Sequence, residues 1–301
     1  MNAQIPARNV NMVSGTQWPG GDPFLQRQNE PSVAVSTRNP LHLLAGANDY
    51  RTVDLPGLPG GKVTGDAWLG AFKTIDSGQT WFSLLLPGYP QDNSPDGLAS
   101  PLKRFDAAAD PTVRAGTNGL FYYSGIAFNR AAQGASVAFV ARYIDNNNQE
   151  NGDPIGYVGT SVVAKSDGSA FLDKPWIAAD IPRDDAKMCG IPSRQPDGSI
   201  KVQSFRAGNV YLAYSVLSGS GTSQRGQLMF SHSRDCGVTW SKPVQISRSS
   251  DRINQGAVIA ISPEDGTVYV AWRRFASPAV PNDKNSQAQS DAILVVRSKD
   301  E

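Results

Sequence analysis

Apolar positions along this chain come in short runs with period-two alternation or β-branched stretches, and nowhere does a 3.6-residue helical spacing persist. Four runs resemble one another: PSVAVS from Pro31, PTVRA from Pro111, PWIAAD from Pro175 and AVIAIS from Ala257. Three of them open on proline, which sheets tolerate at the first residue of a strand. After each comes turn chemistry (TRNP, GTNG, PEDG) and a second apolar run: LHLLAGA, LFYYSGIAF, VYLAYSV and TVYVAWRRF. A third run follows after a variable loop: AWLGAF, SVAFVARYI, QLMFSHS and AILVVRS. The pattern predicts an antiparallel sheet of three or four strands, repeated four times. Sheets of this size repeated along a chain pack radially as blades of a β-propeller. A parallel β-helix is the alternative, though its rungs are shorter.

Between the third strand and the fourth, one eight-residue pattern is written twice. TIDSGQTW (Thr74–Trp81) returns as SRDCGVTW (Ser233–Trp240), a hydroxyl–x–Asp–x–Gly–x–Thr–Trp arrangement. The spacing suits a tight turn in which Asp76 and Asp235 accept hydrogen bonds from turn amides and Gly78 and Gly237 supply positive φ. Trp81 and Trp240 then begin the outer strands TWFSLLL and VTWSKPVQI and cover the hairpins. These aspartates are structural, because the turn consumes them.

The two turns, set in a four-stranded repeat, resemble the Asp-box (BNR) repeats of the sialidase-like β-propellers, and the resemblance runs from Asn29 onward. It implies an all-β propeller of six blades, of which about four are present. Residues 1–28 then form an N-terminal extension and 29–301 the blades. RSKDE at the end stops where a further box should start, so the last blade lacks its outer strand. Either RNVNMVS (Arg8–Ser14) supplies that strand and closes the ring, or the chain is a piece of a longer propeller, the preferred reading.

The same resemblance implies an exo-α-sialidase-like glycoside hydrolase, acting on terminal acidic sugars of glycans. LLAGANDYRTVDLPG (Leu43–Gly57) is similar to the first blade of bacterial sialidases; on that match Arg51 is a channel arginine and Asp54 the acid/base. Asp54 also reads as a plain turn residue before LPG. The family's Arg–Ile–Pro is replaced by NEP (Asn29–Pro31), which removes one carboxylate-gripping arginine unless Arg27 or Arg38 substitutes. Arg273 and Arg274 suit another arginine of the cluster. The alternative function is a non-catalytic propeller binding glycans or proteins on the same face.

Strand direction sorts that face. Inner strands start, and second strands end, at the end of the channel opposite the two repeated turns. That end gathers Asn29, Glu30, Asp110, Asp173, Lys174, Asn254 and Gln255 with Asp49, Arg51, Arg273 and Arg274. Glu30, Asp49, Asp110, Arg273 and Arg274 are therefore the expected substrate-binding residues.

Composition removes several other classes. With 28 basic and 27 acidic residues the formal net charge is +1, and no basic tract points to nucleic acid. No apolar run approaches the ~18 residues of a membrane span. MNAQIPARNV carries no signal-peptide pattern, so the extracellular or periplasmic location that a Cys189–Cys236 disulfide would argue for requires a leader absent from this chain. Two histidines in different repeats offer no metal-ligand spacing, so no metal is expected there. The loop from Asp145 to Asp153 has oxygen ligands enough for calcium but not EF-hand spacing, and a solvated hairpin loop is the preferred reading. Oligomeric state is not legible. Cys189 and Cys236 fall in one repeat on the turn side, within reach of a disulfide; two reduced, packed thiols are the alternative.

Overall fold

The structure is a computed structural model and describes residues 10–13, 28–52, 66–131, 134–147, 153–195, 197–277 and 288–298. Its first blade is β1 (Gln28–Val35), β2 (Leu43–Asp49), β3 (Trp68–Thr74) and β4 (Phe82–Leu85), in that spatial order. A one-turn helix, α1 (Pro95–Ala99), leads to the second blade: β5 (Ala107–Ala115), β6 (Leu120–Phe128), β7 (Ser136–Asp145) and β8 (Ile155–Ser166). The third begins with β9 (Ala170–Ala179) and is interrupted by a separate hairpin, β10 (Met188–Arg194) and β11 (Ile200–Arg206). It resumes with β12 (Val210–Ser218), β13 (Arg225–Ser233) and the two-residue β14 (Val244–Gln245). Three strands make the fourth: β15 (Asn254–Ile261), β16 (Val268–Arg274) and β17 (Ala292–Ser298).

Every ladder within a blade is antiparallel, which removes the β-helix alternative. Inner strand β1 lies against β5, β5 against β9 and β9 against β15, so the blades stand side by side around one axis as a β-propeller. Alternation in the sequence becomes two buried faces per inner blade. Leu44 and Leu69 meet Phe121, Tyr123 and Phe139 between the first two blades. Ile126 and Val140 meet Ile177, Leu212 and Tyr214 between the next two, and Tyr211, Leu228, Ile259 and Trp272 fill the third interface. Gly46 is required by this packing: a Cβ there would sit 2.6 Å from the Tyr123 ring, whose hydroxyl donates to the Gly70 carbonyl at 2.8 Å.

The two repeated turns match bond for bond. Asp76 Oδ1 accepts from the Thr74 hydroxyl (2.7 Å) and the Thr80 amide (2.9 Å), and Oδ2 from the Thr80 hydroxyl (2.5 Å). Asp235 repeats this with Ser233 (2.8 Å), the Thr239 amide (2.9 Å) and the Thr239 hydroxyl (2.6 Å). Positive φ is held by two residues per turn, Ser77 and Gly78, then Cys236 and Gly237, where the sequence suggested the glycines alone. Each tryptophan donates to the glycine carbonyl of its own turn, Trp81 at 3.0 Å and Trp240 at 3.3 Å. Neither begins a strand as expected. Trp81 stands one residue before β4, and Trp240 precedes β14 by four because Pro243 has no N–H to donate to β13.

Cys189 on β10 is disulfide-bonded to Cys236 in the second turn, with Cα atoms 6.2 Å apart, so the inserted hairpin is pinned to the turn face. Of the N-terminal segment only 10–13 are described; Met12 and Val13 pack with Trp81 against Ala45, Ala47 and Phe72 of the first blade.

Candidate functional site

All four inner strands carry the same irregularity near their start. Register shifts fall between Asn29 and Ser32, between Ala109 and Thr112, opposite Ala213–Ser215 on β9, and between Gln255 and Val258. At each shift one residue has positive φ: Glu30 (52°), Asp110 (62°), Lys174 (46°) and Gly256 (73°). These are β-bulges with a left-handed residue. Pro31, Pro111 and Pro175 follow the first three, and a proline cannot donate to the neighbouring strand, so the ladder breaks there. Left-handed backbone at three non-glycine residues costs on the order of 1 kcal/mol or more each, a strain that concentrates at functional sites.

The bulges turn their side chains onto one cavity of about 490 Å³ at the mouth of the channel. Lys174 Nζ lies 2.5 Å from Glu30 Oε1 and 2.9 Å from Asp110 Oδ1. Asn48 fixes the first carboxylate, donating to Glu30 Oε2 at 3.2 Å, and its carbonyl oxygen accepts from the Asp110 amide at 2.9 Å. Asp110 Oδ2 in turn accepts from the Lys174 amide at 3.1 Å, so three blades are stitched through one polar network. Burial alone would lower the Lys174 pKa, but hydrogen bonds to Glu30 and Asp110, with their charges, outweigh it and raise it well above the ordinary lysine value. Gln255 donates to Asp173 and continues the stitching to the fourth blade.

Below the carboxylates, Val33, Arg114, Trp176 and Val258 line the cavity. The Arg114 guanidinium stacks 4.6 Å from the Trp176 ring centroid, and its Nη1 donates to the Val113 carbonyl at 2.7 Å. Burial holds the Arg114 pKa below its usual value. An aromatic wall, two cations and two carboxylates in a concave site suit a polar ligand that also presents apolar faces.

Of the residues expected from sequence, Glu30 and Asp110 line this cavity. Asp49 and Arg51 are at the same end but are directed away from it. Asp49 is fully buried and Arg51 nearly so; they pair with each other at 2.6 Å, and Arg51 also donates to the Leu84 carbonyl on the outer strand. Arg51 is therefore a strut across the first blade rather than a channel arginine. Arg273 is held by Asp291 at 2.7 Å and stacks on Phe275, while Arg274 reaches Asp251 at 3.5 Å; neither lines the cavity. Asp54 lies outside the described residues.

The carboxylates offered for calcium are committed elsewhere. Asp145 is buried, accepting from Ser36 Oγ at 2.5 Å and the Asn147 amide at 2.8 Å and pairing with His42 Nδ1 at 2.8 Å. Asp153 pairs with Lys73 at 2.5 Å. Among the described residues no three His, Cys, Asp or Glu side chains gather as a metal would require, and no helix is long and apolar enough to cross a membrane.

Arg114, Trp176 and the left-handed bulges were not singled out from sequence. The recurring polar residue–Pro pair at the start of three inner strands was the available signal.

The fold and this mouth define a β-propeller arc whose channel pocket is walled by an aromatic ring and lined by two carboxylates and two cations. No family model matches the chain, and no curated protein matches it. Among solved structures it is similar to the GH93 α-L-arabinofuranosidase of Fusarium graminearum in complex with arabinobiose. That match has 15% identity and a TM-score of 0.50 over 92% of this chain and 65% of the other. It is also similar to the Penicillium chrysogenum α-L-arabinanase complexed with arabinobiose, at 13% identity and TM-score 0.46 over 91% of this chain and 63% of that one. The chain thus spans less than two thirds of the length of these propellers, and neither is a sialidase.

Proposed function

We propose that the chain is the carbohydrate-binding part of a propeller glycoside hydrolase, with Glu30 and Asp110 as the carboxylate pair. The observation that carries this reading is their shared partner. Bonded to one nitrogen at 2.5 and 2.9 Å, the two oxygens lie at most about 5.4 Å apart, which excludes the wider separation of an inverting pair and leaves the shorter one of a retaining pair. Two carboxylates at that separation serve as nucleophile and acid/base on opposite sides of a glycosidic bond. Trp176 offers an apolar face for a sugar ring.

The sialidase type has little support. Arg51 is occupied by Asp49, NEP replaces the expected arginine, and the similar enzymes named above act on arabinose-containing substrates. Lys174 favours a second reading, a non-catalytic glycan-binding propeller, because its ammonium bonds to both carboxylates and occupies the space between them. On either reading the disulfide supports export to an oxidising compartment.

A panel of 4-nitrophenyl furanosides, pyranosides and sialosides, each tested for turnover and for binding by calorimetry, separates the two. Turnover of a furanoside supports the hydrolase, binding without turnover the binding module, and sialoside turnover alone would restore the sialidase type.

A further inference from the structure

The four bulges are equivalent in register and backbone, but not in side chain. Glu30, Asp110 and Lys174 each extend over the channel mouth and join one network, closing three sectors of it. The fourth position is Gly256, exposed and lining the same cavity, where an added Cβ would meet no atom of the described residues within 4 Å. Glycine at a φ of 73° is ordinarily explained by the backbone. Here that explanation is insufficient, since the three sister positions carry glutamate, aspartate and lysine at φ of 52°, 62° and 46°. What distinguishes Gly256 is that it alone of the four brings no side chain to the network over the cavity.

We propose that Gly256 is the port through which a sugar ring enters the channel pocket, and so a specificity-determining position of that site; this rests on the carbohydrate reading above. A side chain at 256 would project over Val258 and Trp176 as its sisters project over their own strands. A carboxylate there would also face the Lys174 ammonium from the fourth blade.

The test uses the whole chain. In Gly256→Cys the new thiol is the single free one, because Cys189 and Cys236 are bonded to each other. It is expected to react with the aromatic disulfide DTNB in the native protein at the rate of an exposed thiol; a rate about 100-fold slower would mean a closed sector and overturn the proposal. Gly256→Glu is expected to melt within a few degrees of wild type, as the sister residues predict. Its KM (or Kd) for the 4-nitrophenyl glycoside recognised by wild type should rise at least about tenfold. An unchanged KM in that folded variant also overturns the port. If Gly256→Glu does not fold, DTNB-labelled Gly256→Cys replaces it, compared with the same protein before labelling. A wild type that binds no glycoside sinks the carbohydrate reading, and the thiol rate then decides the port by itself.

Discussion

Lys174 on the third inner strand holds Glu30 of the first at 2.5 Å, although 144 positions separate them and the second blade stands between. The contact spans the channel mouth and exists only if all three blades share one axis. Both side chains are partly exposed, at 39% and 44%, so the pair is screened and its worth is small. Lys174→Met is expected to cost about 1 kcal/mol in urea unfolding, less at high salt. Because the folded-state pKa is raised, this contribution is complete below the unfolded lysine value of about 10.4 and fades as pH climbs above it. Wild type and variant should therefore converge in strongly alkaline buffer, and a gap that widens there would contradict the assignment.

The two matching turns make a second prediction. Burial opposes the Asp76 and Asp235 charges, but the threonine hydroxyl and amide that each accepts from hold both pKa values below the ordinary one. A depressed folded pKa gives stability that is present above the unfolded value of about 3.9 and is lost as pH falls through the folded one. Asp76→Ala and Asp235→Ala should each cost about 1–3 kcal/mol at pH 7 by urea titration. The difference from wild type should shrink in acid, while glycoside binding persists in the folded variants. Loss of binding without loss of stability would move these aspartates from structure to function.

How far the sequence led can be judged residue by residue. Strand order, blade repeat, the two turns and the Cys189–Cys236 pairing were legible because each rests on local spacing or on connections between neighbouring strands. That inner-strand starts and second-strand ends share one end of the channel was legible for the same reason, since antiparallel pairing sets Gln28 opposite Asp49. Side-chain direction beyond a strand end was not. Arg51 follows Asp49 by two residues, and nothing in that spacing says the pair will fold back on itself beneath the outer strand. The left-handed bulges were hidden because glutamate and lysine rarely adopt positive φ, and because all three residues precede a proline, which favours extended backbone.

His42 and Asp145 form a fully buried pair at 2.8 Å between the first two blades, on the turn face. Removing His42 takes one hydrogen bond from a buried carboxylate that keeps those from Ser36 and the Asn147 amide, so His42→Ala should cost about 1–3 kcal/mol in chemical unfolding. Calcium and a chelator should leave the melting temperature unchanged, because Asp145 is committed to this pair. A calcium-dependent rise would show that Asp145 is free to ligate an ion.

Reducing the disulfide should lower stability by roughly 4 kcal/mol at most, as the chain-entropy account gives for a cross-link spanning 47 positions. Cys189→Ser with Cys236→Ser is the matched variant. Its unfolding midpoint is expected to equal that of the reduced wild type, with the channel mouth unaltered in ligand binding. Two free thiols in the unreduced, denatured wild type would rule the bridge out.

The central claim is that Glu30 and Asp110 work as a pair on a glycosidic bond. Its most direct test is the initial rate of hydrolysis of 4-nitrophenyl α-L-arabinofuranoside by wild type, Glu30→Gln and Asp110→Asn, each shown to be folded by its melting curve. The account predicts measurable turnover by wild type and a loss of about 10²–10⁴-fold in each variant. Wild-type rates in either folded variant would contradict it.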